Sequence, residues 1–93
     1  MIIKWHDKDA LRIWEMEYAK RIPPKLQAVI RRKLVMIDAA QSLNDLRIPL
    51  SNHLEKLSGD RSGQYSIRIN DAWRICFSWH DGKAEIIDII DYH

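Results

Sequence analysis

The sequence predicts an α+β domain, and three observations carry that prediction. Apolar residues recur at helical spacing between Leu11 and Ile37, whereas strict alternation runs through two segments between Gln64 and His80. An Asp81-Gly82 pair, a favoured two-residue hairpin turn, then sends the chain back along its last strand.

The elements follow in order. Ile2, Ile3 and Trp5 are β-favouring residues and suit a short opening strand. Asp7 is placed to cap a first helix on which Leu11, Trp14 and Tyr18 share a face. Pro23 and Pro24 end what precedes them and suit the first turn of a second helix. There Leu26, Val29, Ile30, Lys33, Leu34 and Ile37 are spaced three and four apart, so the helix is expected to reach about Ala40. Its outer face is basic, with Lys25, Arg31 and Arg32. Ser42 to Ser51, with Asn44-Asp45 and Pro49, reads as a connecting loop with room for one short turn.

In the second half, Tyr65, Ile67 and Ile69 alternate with polar residues, as do Trp73, Ile75, Phe77 and Trp79. If Asn70-Asp71-Ala72 is a three-residue turn, Ile69 faces Trp73, Ile67 faces Ile75 and Tyr65 faces Phe77. The large side chains then lie on one face, under the helices, and Trp73 and Trp79 belong to the core. The same register sets Arg68 opposite Arg74 on the uncovered face, where like charges repel. Two readings stay open: the pair holds an anion, or each arginine meets water or pairs with Glu85 or Asp91. Continuing the hairpin from Asp81-Gly82 places Ile87, Ile89, Asp91 and His93 on the arginine face. Arg68, Arg74 and His93 then form the best catalytic constellation in the chain.

With 93 residues, 46% apolar and 30% charged, the chain suits one folded domain, residues 1–93, rather than a disordered segment. No apolar run is long enough to span a bilayer, and the first residues do not read as a secretory signal. The single cysteine, Cys76, excludes an internal disulfide, fits a cytoplasmic location and reads as a small buried residue. His6, His53 and His80 lack zinc spacing, so neither metal nor cofactor is expected. The net charge is only +2, but it is segregated. Lys20, Arg21, Lys25, Arg31, Arg32 and Lys33 occur with no acid among them, Arg61, Arg68 and Arg74 form a second group, and the tail is acidic. Such segregation suggests a polyanionic partner.

From Asn52 to His93 the chain resembles HigB-type toxins of the RelE/ParE superfamily. The resemblance rests on Leu57-Ser58-Gly59-Asp60-Arg61-Ser62-Gly63, Tyr65-Ser66-Ile67-Arg68, Trp73-Arg74-Ile75-Cys76-Phe77 and the closing Asp91-Tyr92-His93. It implies a RelE-like fold, with an N-terminal strand and two helices packed on a curved antiparallel sheet ending in a three-strand meander. It further implies a toxin of a type II toxin–antitoxin system that cleaves messenger RNA in the ribosomal decoding site without a metal. The implied partners are a HigA-like helix-turn-helix antitoxin, the 70S ribosome with its messenger, and operator DNA only through the antitoxin.

Carried over by position, the site comprises Arg61, Arg68, Arg74, Asp91, Tyr92 and His93. One departure stands out. Where some relatives have a His-Pro-Leu-Lys-Gly-Asp segment, this chain has Glu55 at the histidine position and Ser58 at the lysine position; His53 and Lys56 lie two residues earlier. The roles expected are His93 as acid–base group, Glu55 as the alternative base and Tyr92 as a stacking ring. Arg68 and Arg74 would bind the scissile phosphate, Asp91 would orient a partner, and Arg61 would hold a neighbouring phosphate. Lys56 and the basic helix face (Lys25, Arg31, Arg32) would contact RNA. Two other readings compete: a ParE-like inhibitor that binds gyrase, and a catalytically weakened homologue that keeps antitoxin binding.

Overall fold

A computed structural model describes residues 1–91; Tyr92 and His93 lie outside the described residues. The chain runs β1 (Ile2–Trp5), α1 (Lys8–Trp14), α2 (Pro24–Ala39), β2 (Glu55–Lys56), β3 (Gln64–Arg68), β4 (Trp73–His80) and β5 (Lys83–Asp91). Short 3₁₀ turns occupy Leu43–Arg47, Leu50–Asn52 and Gly59–Arg61. The expected α+β architecture is present, and the sheet is larger than the meander alone. Five strands lie in the order β1-β5-β4-β3-β2, with β1 parallel to β5 and the remaining pairs antiparallel.

Asp7 caps α1 by accepting from the backbone N–H groups of Asp9 (2.8 Å) and Ala10 (3.2 Å). The helix stops at Trp14, and Met16 takes a positive φ of 64°, so Tyr18 leaves the helical face expected of it and is exposed. Gln27 organises the segment that follows. Its amide nitrogen donates to the carbonyls of Ala19 and Ile22, and its oxygen accepts from Ala19 N–H. Pro24 begins α2 as its sequence position requires, and Leu26, Ile30, Lys33, Leu34 and Ile37 are buried on its inner stripe.

These residues meet Ile67, Ile75, Phe77, Ala84, Ile86 and Ile89, each at most 1% exposed. Full burial stabilises each larger aliphatic or aromatic side chain by about 1.5–3 kcal/mol relative to exposure. The β3–β4 register is the one the alternation predicts: Tyr65 opposes Phe77, Ile67 opposes Ile75 and Arg68 opposes Arg74. Asn70 Oδ1 closes the turn by accepting from the N–H groups of Ala72 (2.9 Å) and Trp73 (2.8 Å).

The β4–β5 pairing departs from expectation. The hairpin starts as predicted, His80 opposite Lys83, and continues to Phe77 opposite Ile86; Cys76 then opposes Asp88, which leaves Ile87 as a bulge. An unbroken ladder would have set Asp88 against Ile75, inside the core. The extra residue turns Asp88 onto the arginine face and lets Ile86 and Ile89 both enter the core. It also reverses every later position. Asp91 opposes Trp73 and Ile90 opposes Arg74, so Asp91 and Ile89 do not lie on the arginine face as expected.

Candidate active site

The face of the sheet away from the helices carries a row formed by successive pairings: Glu55 opposite Ser66, Ser66 opposite Cys76, and Cys76 opposite Asp88. Ser66 and Cys76 are fully buried, because guanidinium groups roof them. Arg61 closes one side through a two-pronged ion pair with Asp88 (3.1 and 2.7 Å) and a bond to Gln64 Oε1 (3.0 Å). Beneath that lid the Cys76 thiol is pushed up to about 12, mostly by burial and further by the neighbouring Asp88 carboxylate. The cysteine is therefore an inert packing residue, as its sequence context indicates.

Arg74 closes the other side. Its Nε donates to Ser66 Oγ (2.8 Å), and its Nη2 donates to the carbonyls of His53 (2.6 Å) and Ser66 (3.3 Å). Glu55 Oε1 stands 3.9 Å from the same Nη2. The Arg74 side chain is only 11% exposed while that of Glu55 is 59% exposed, so the carboxylate rims a guanidinium already fixed in direction. Arg68 solves the repulsion implied by its register by turning away: Nε donates to the Asn70 carbonyl (3.1 Å), and Nη2 pairs with Asp71. Neither arginine pairs with Glu85 or Asp91 in these contacts; Glu85 accepts from His6 instead (2.7 Å).

The structure thus brings Arg74, Arg68 and Glu55 to one end of the polar face, with Arg61 on the same face and engaged by Asp88. It does not bring Lys56 there. Lys56 opposes Tyr65, whose ring packs on the core, so the lysine belongs to the other face of a two-residue strand. Asp91 ends β5 opposite Trp73 and, with Asp7, Lys8 and Arg21, lines a shallow groove. On α2, Lys25 and Arg32 are exposed, but Arg31 is tied down. Its Nε donates to the Trp14 carbonyl (3.1 Å) and its guanidinium lies 5.6 Å over the Trp14 ring. Tyr92 and His93, expected as stacking ring and acid–base group, lie outside the described residues. Sequence reasoning missed Ser66, Asp88 and the His53 carbonyl. Ser66 had a signal, being the small polar residue between Tyr65 and Ile67 on the strand face that carries Arg68, but the other two depend on the bulge and on a loop conformation. Among the described residues, no group of three or more His, Cys, Asp or Glu side chains is placed to hold a metal.

The model of a family described as the RelE-like toxin of the type II toxin–antitoxin system HigB matches residues 3–93. Toxin HigB-1 of Vibrio cholerae is 40% identical over 85 residues, 90% of each chain. Endoribonuclease HigB of Proteus vulgaris is 31% identical over 93 residues, all of both chains. Among solved structures, the YoeB–YefM complex of Staphylococcus aureus superimposes with a TM-score of 0.65 at 25% identity, covering 100% of this chain and 95% of that one. A single-site mutant of YafQ from E. coli shares the fold alone, with a TM-score of 0.69 at 12% identity over 98% of this chain and 91% of that one.

Proposed function

Because the chain belongs to the HigB-like family of RelE-like toxins of type II toxin–antitoxin systems, we propose that it is an endoribonuclease that cuts messenger RNA in the ribosomal decoding site. The observation that carries this reading is Arg74, a guanidinium locked by Ser66 and the His53 carbonyl beside the exposed carboxylate of Glu55.

Cleavage without a metal needs a base for the ribose 2′-hydroxyl, an acid for the leaving 5′-oxygen, and cations at the phosphate. Glu55 takes the 2′-proton, the 2′-oxygen attacks phosphorus and the bond to the 5′-oxygen breaks, leaving a cyclic phosphate and a 5′-hydroxyl. His93, the other acid–base candidate, supplies the proton to that hydroxyl, and Tyr92 stacks on the nucleotide. Arg74 meets the phosphate oxygens from a preset direction, and Arg68 exchanges Asp71 for the RNA when the substrate arrives. Asp91, opposite Trp73 at the end of β5, orients a partner and does not act as the base. Arg61 acts through its pair with Asp88 to hold the site's floor. Lys25 and Arg32 give the exposed charge of α2 to ribosomal RNA.

As a type II toxin the protein has an antitoxin partner, which we propose to be a HigA-like helix-turn-helix protein that carries the pair to operator DNA. Action at the ribosome places the toxin in the cytoplasm; no helix of the described chain is long and apolar enough to cross a membrane. A gyrase-binding reading has no observation in its favour. The test is induction of the parent and of Arg74→Ala in a bacterium, with mapping of new messenger 5′ ends. Cuts within translated codons for the parent alone are expected. Growth arrest without cuts overturns the nuclease reading, and absence of arrest identifies a weakened homologue.

A further inference from the structure

The inner stripe of α2 contains a charged residue that the reaction above leaves unused. Lys33 is 7% exposed among Leu26, Ile30, Leu34 and Ile37, where an apolar side chain would bury at lower cost. Its Nζ donates to Asn52 Oδ1 at 2.5 Å, and Asn52 is itself fully buried. The Asn52 amide nitrogen donates in turn to the Leu46 carbonyl (3.2 Å) and to Met36 Sδ (3.9 Å), tying the last turn of the loop between α2 and β2 to the loop's middle and to the helix. The rest of the loop is held by the partly buried Leu43 and Leu54 and by short-range bonds to the Asp45 carboxylate and the Asn44 side chain. Between residues 41 and 54 the buried side chains are Leu46 and Asn52, while Ile48 and Leu50 are 77% and 84% exposed.

The residue after Asn52 is His53, in the left-handed region (φ 43°, ψ 58°), and its carbonyl accepts from Arg74 Nη2 at 2.6 Å. A continuous path therefore runs from the rigid helix to the guanidinium: Lys33 fixes Asn52, Asn52 fixes the turn, and the turn aims the carbonyl that holds Arg74. We propose that Lys33, acting through Asn52 and the His53 carbonyl, is a positioning residue that sets the direction of Arg74 toward the phosphate. This rests on the reading of Arg74 as the phosphate ligand. Desolvation holds the Lys33 ammonium below its ordinary value, so burying this cation is disfavoured unless the Asn52 contact compensates.

The test compares the parent, Lys33→Met, Arg74→Ala and the double variant in cleavage of messenger on programmed ribosomes, with the Arg74 Nε–H followed by nitrogen-15 NMR. Methionine keeps the length of the stem and removes the donor. The expected result for Lys33→Met is a kcat lowered by about tenfold or more with KM within about twofold, since misplacement of a binding group falls on the transition state. Arg74 Nε–H exchange with solvent should quicken, and the double variant should cut no more slowly than Arg74→Ala alone. Losses that multiply in the double variant, or an unchanged Arg74 Nε–H signal in folded Lys33→Met, overturn the proposal. Should Lys33→Met fail to fold, Asn52→Ala breaks the same path at its next link and is expected to show the same changes; parent behaviour in that variant overturns the proposal as well. If Arg74→Ala cuts like the parent, the phosphate-ligand reading fails, and the NMR signal still decides whether Lys33 holds Arg74.

Discussion

The two faces of the sheet are ordered by different physics. Under the helices, Ile67, Ile75, Phe77, Ile86 and Ile89 are sealed by close packing of aliphatic and aromatic groups. On the far face the buried atoms belong to Ser66 and Cys76, and what excludes water from them is a pair of guanidinium groups tied to carboxylates, a hydroxyl and carbonyls. The apolar face is non-directional and tolerates small displacements at little cost. The polar face is directional, so it holds Arg74 at a set angle, which packing alone would not do. The fold resides in the first face and the chemistry in the second.

The largest expected effect separates them. Phe77→Ala should cost about 3–5 kcal/mol, read as a lowered urea midpoint, while the molecules that remain folded keep their cleavage rate. Arg74→Ala should do the opposite, removing cleavage at a stability cost of about 1–2 kcal/mol from the lost hydrogen bonds. If both variants lost stability and activity in proportion, the division between faces would be wrong.

That division also explains what the sequence discloses. The apolar face repeats at a fixed period, so the β3–β4 register, including Arg68 opposite Arg74, follows from alternation and one turn. Lys33 appears in the same way, as a member of the inner stripe of α2. The polar face has no period. Its partners come from a bulge at Ile87 and from a loop conformation at His53, and the Ile-Ile-Asp-Ile-Ile run, which does not alternate, fits two registers equally well until the cost of placing Asp88 in the core is counted. Unbroken alternation therefore sets Asp91 on the wrong face, and the same bulge brings Asp88 to Arg61. Helical spacing of Trp14 and Tyr18 makes α1 too long, because nothing in Glu15-Met16-Glu17 announces the positive φ at Met16.

The next effect sharpens the account of the polar face. Asp88→Asn keeps the shape of the side chain and removes the charge that Arg61 holds, and should cost about 1 kcal/mol for a pair still partly open to solvent. The same change should lower the Cys76 thiol from about 12, yet leave it far slower to alkylate at pH 8 than in urea, because burial is the larger cause. Rapid alkylation of the folded variant would show that the charge pair, and not the strand packing, seals that cysteine.

A smaller effect divides two adjacent residues of α2. Arg31→Ala should lose about 1 kcal/mol, through the hydrogen bond to the Trp14 carbonyl and the stacking on its ring. Arg32→Ala should change stability by no more than about 0.5 kcal/mol while reducing the salt slope of ribosome binding by about one. Equal effects on stability would mean that α1 docks on α2 without help from Arg31.

The smallest effect belongs to Lys33, where the two kinds of order meet. Its ordinary value is 10.5, and desolvation, with repulsion from Arg32 as the lesser cause, lowers it in the folded protein. Between the lowered value and 10.5 the unfolded chain keeps a proton that the folded chain has released. Stability therefore rises with pH through that window. A neutral amine still donates to Asn52, so the loop stays pinned as the charge is lost. The measurement is the difference in urea stability between the parent and Lys33→Met from neutral pH to pH 10.5, which cancels the other titrating groups. The parent should gain on the variant as pH rises; a constant or reversed difference would mean that the ammonium stays paired and hydrated in the fold, and that its place on the apolar stripe carries no desolvation cost.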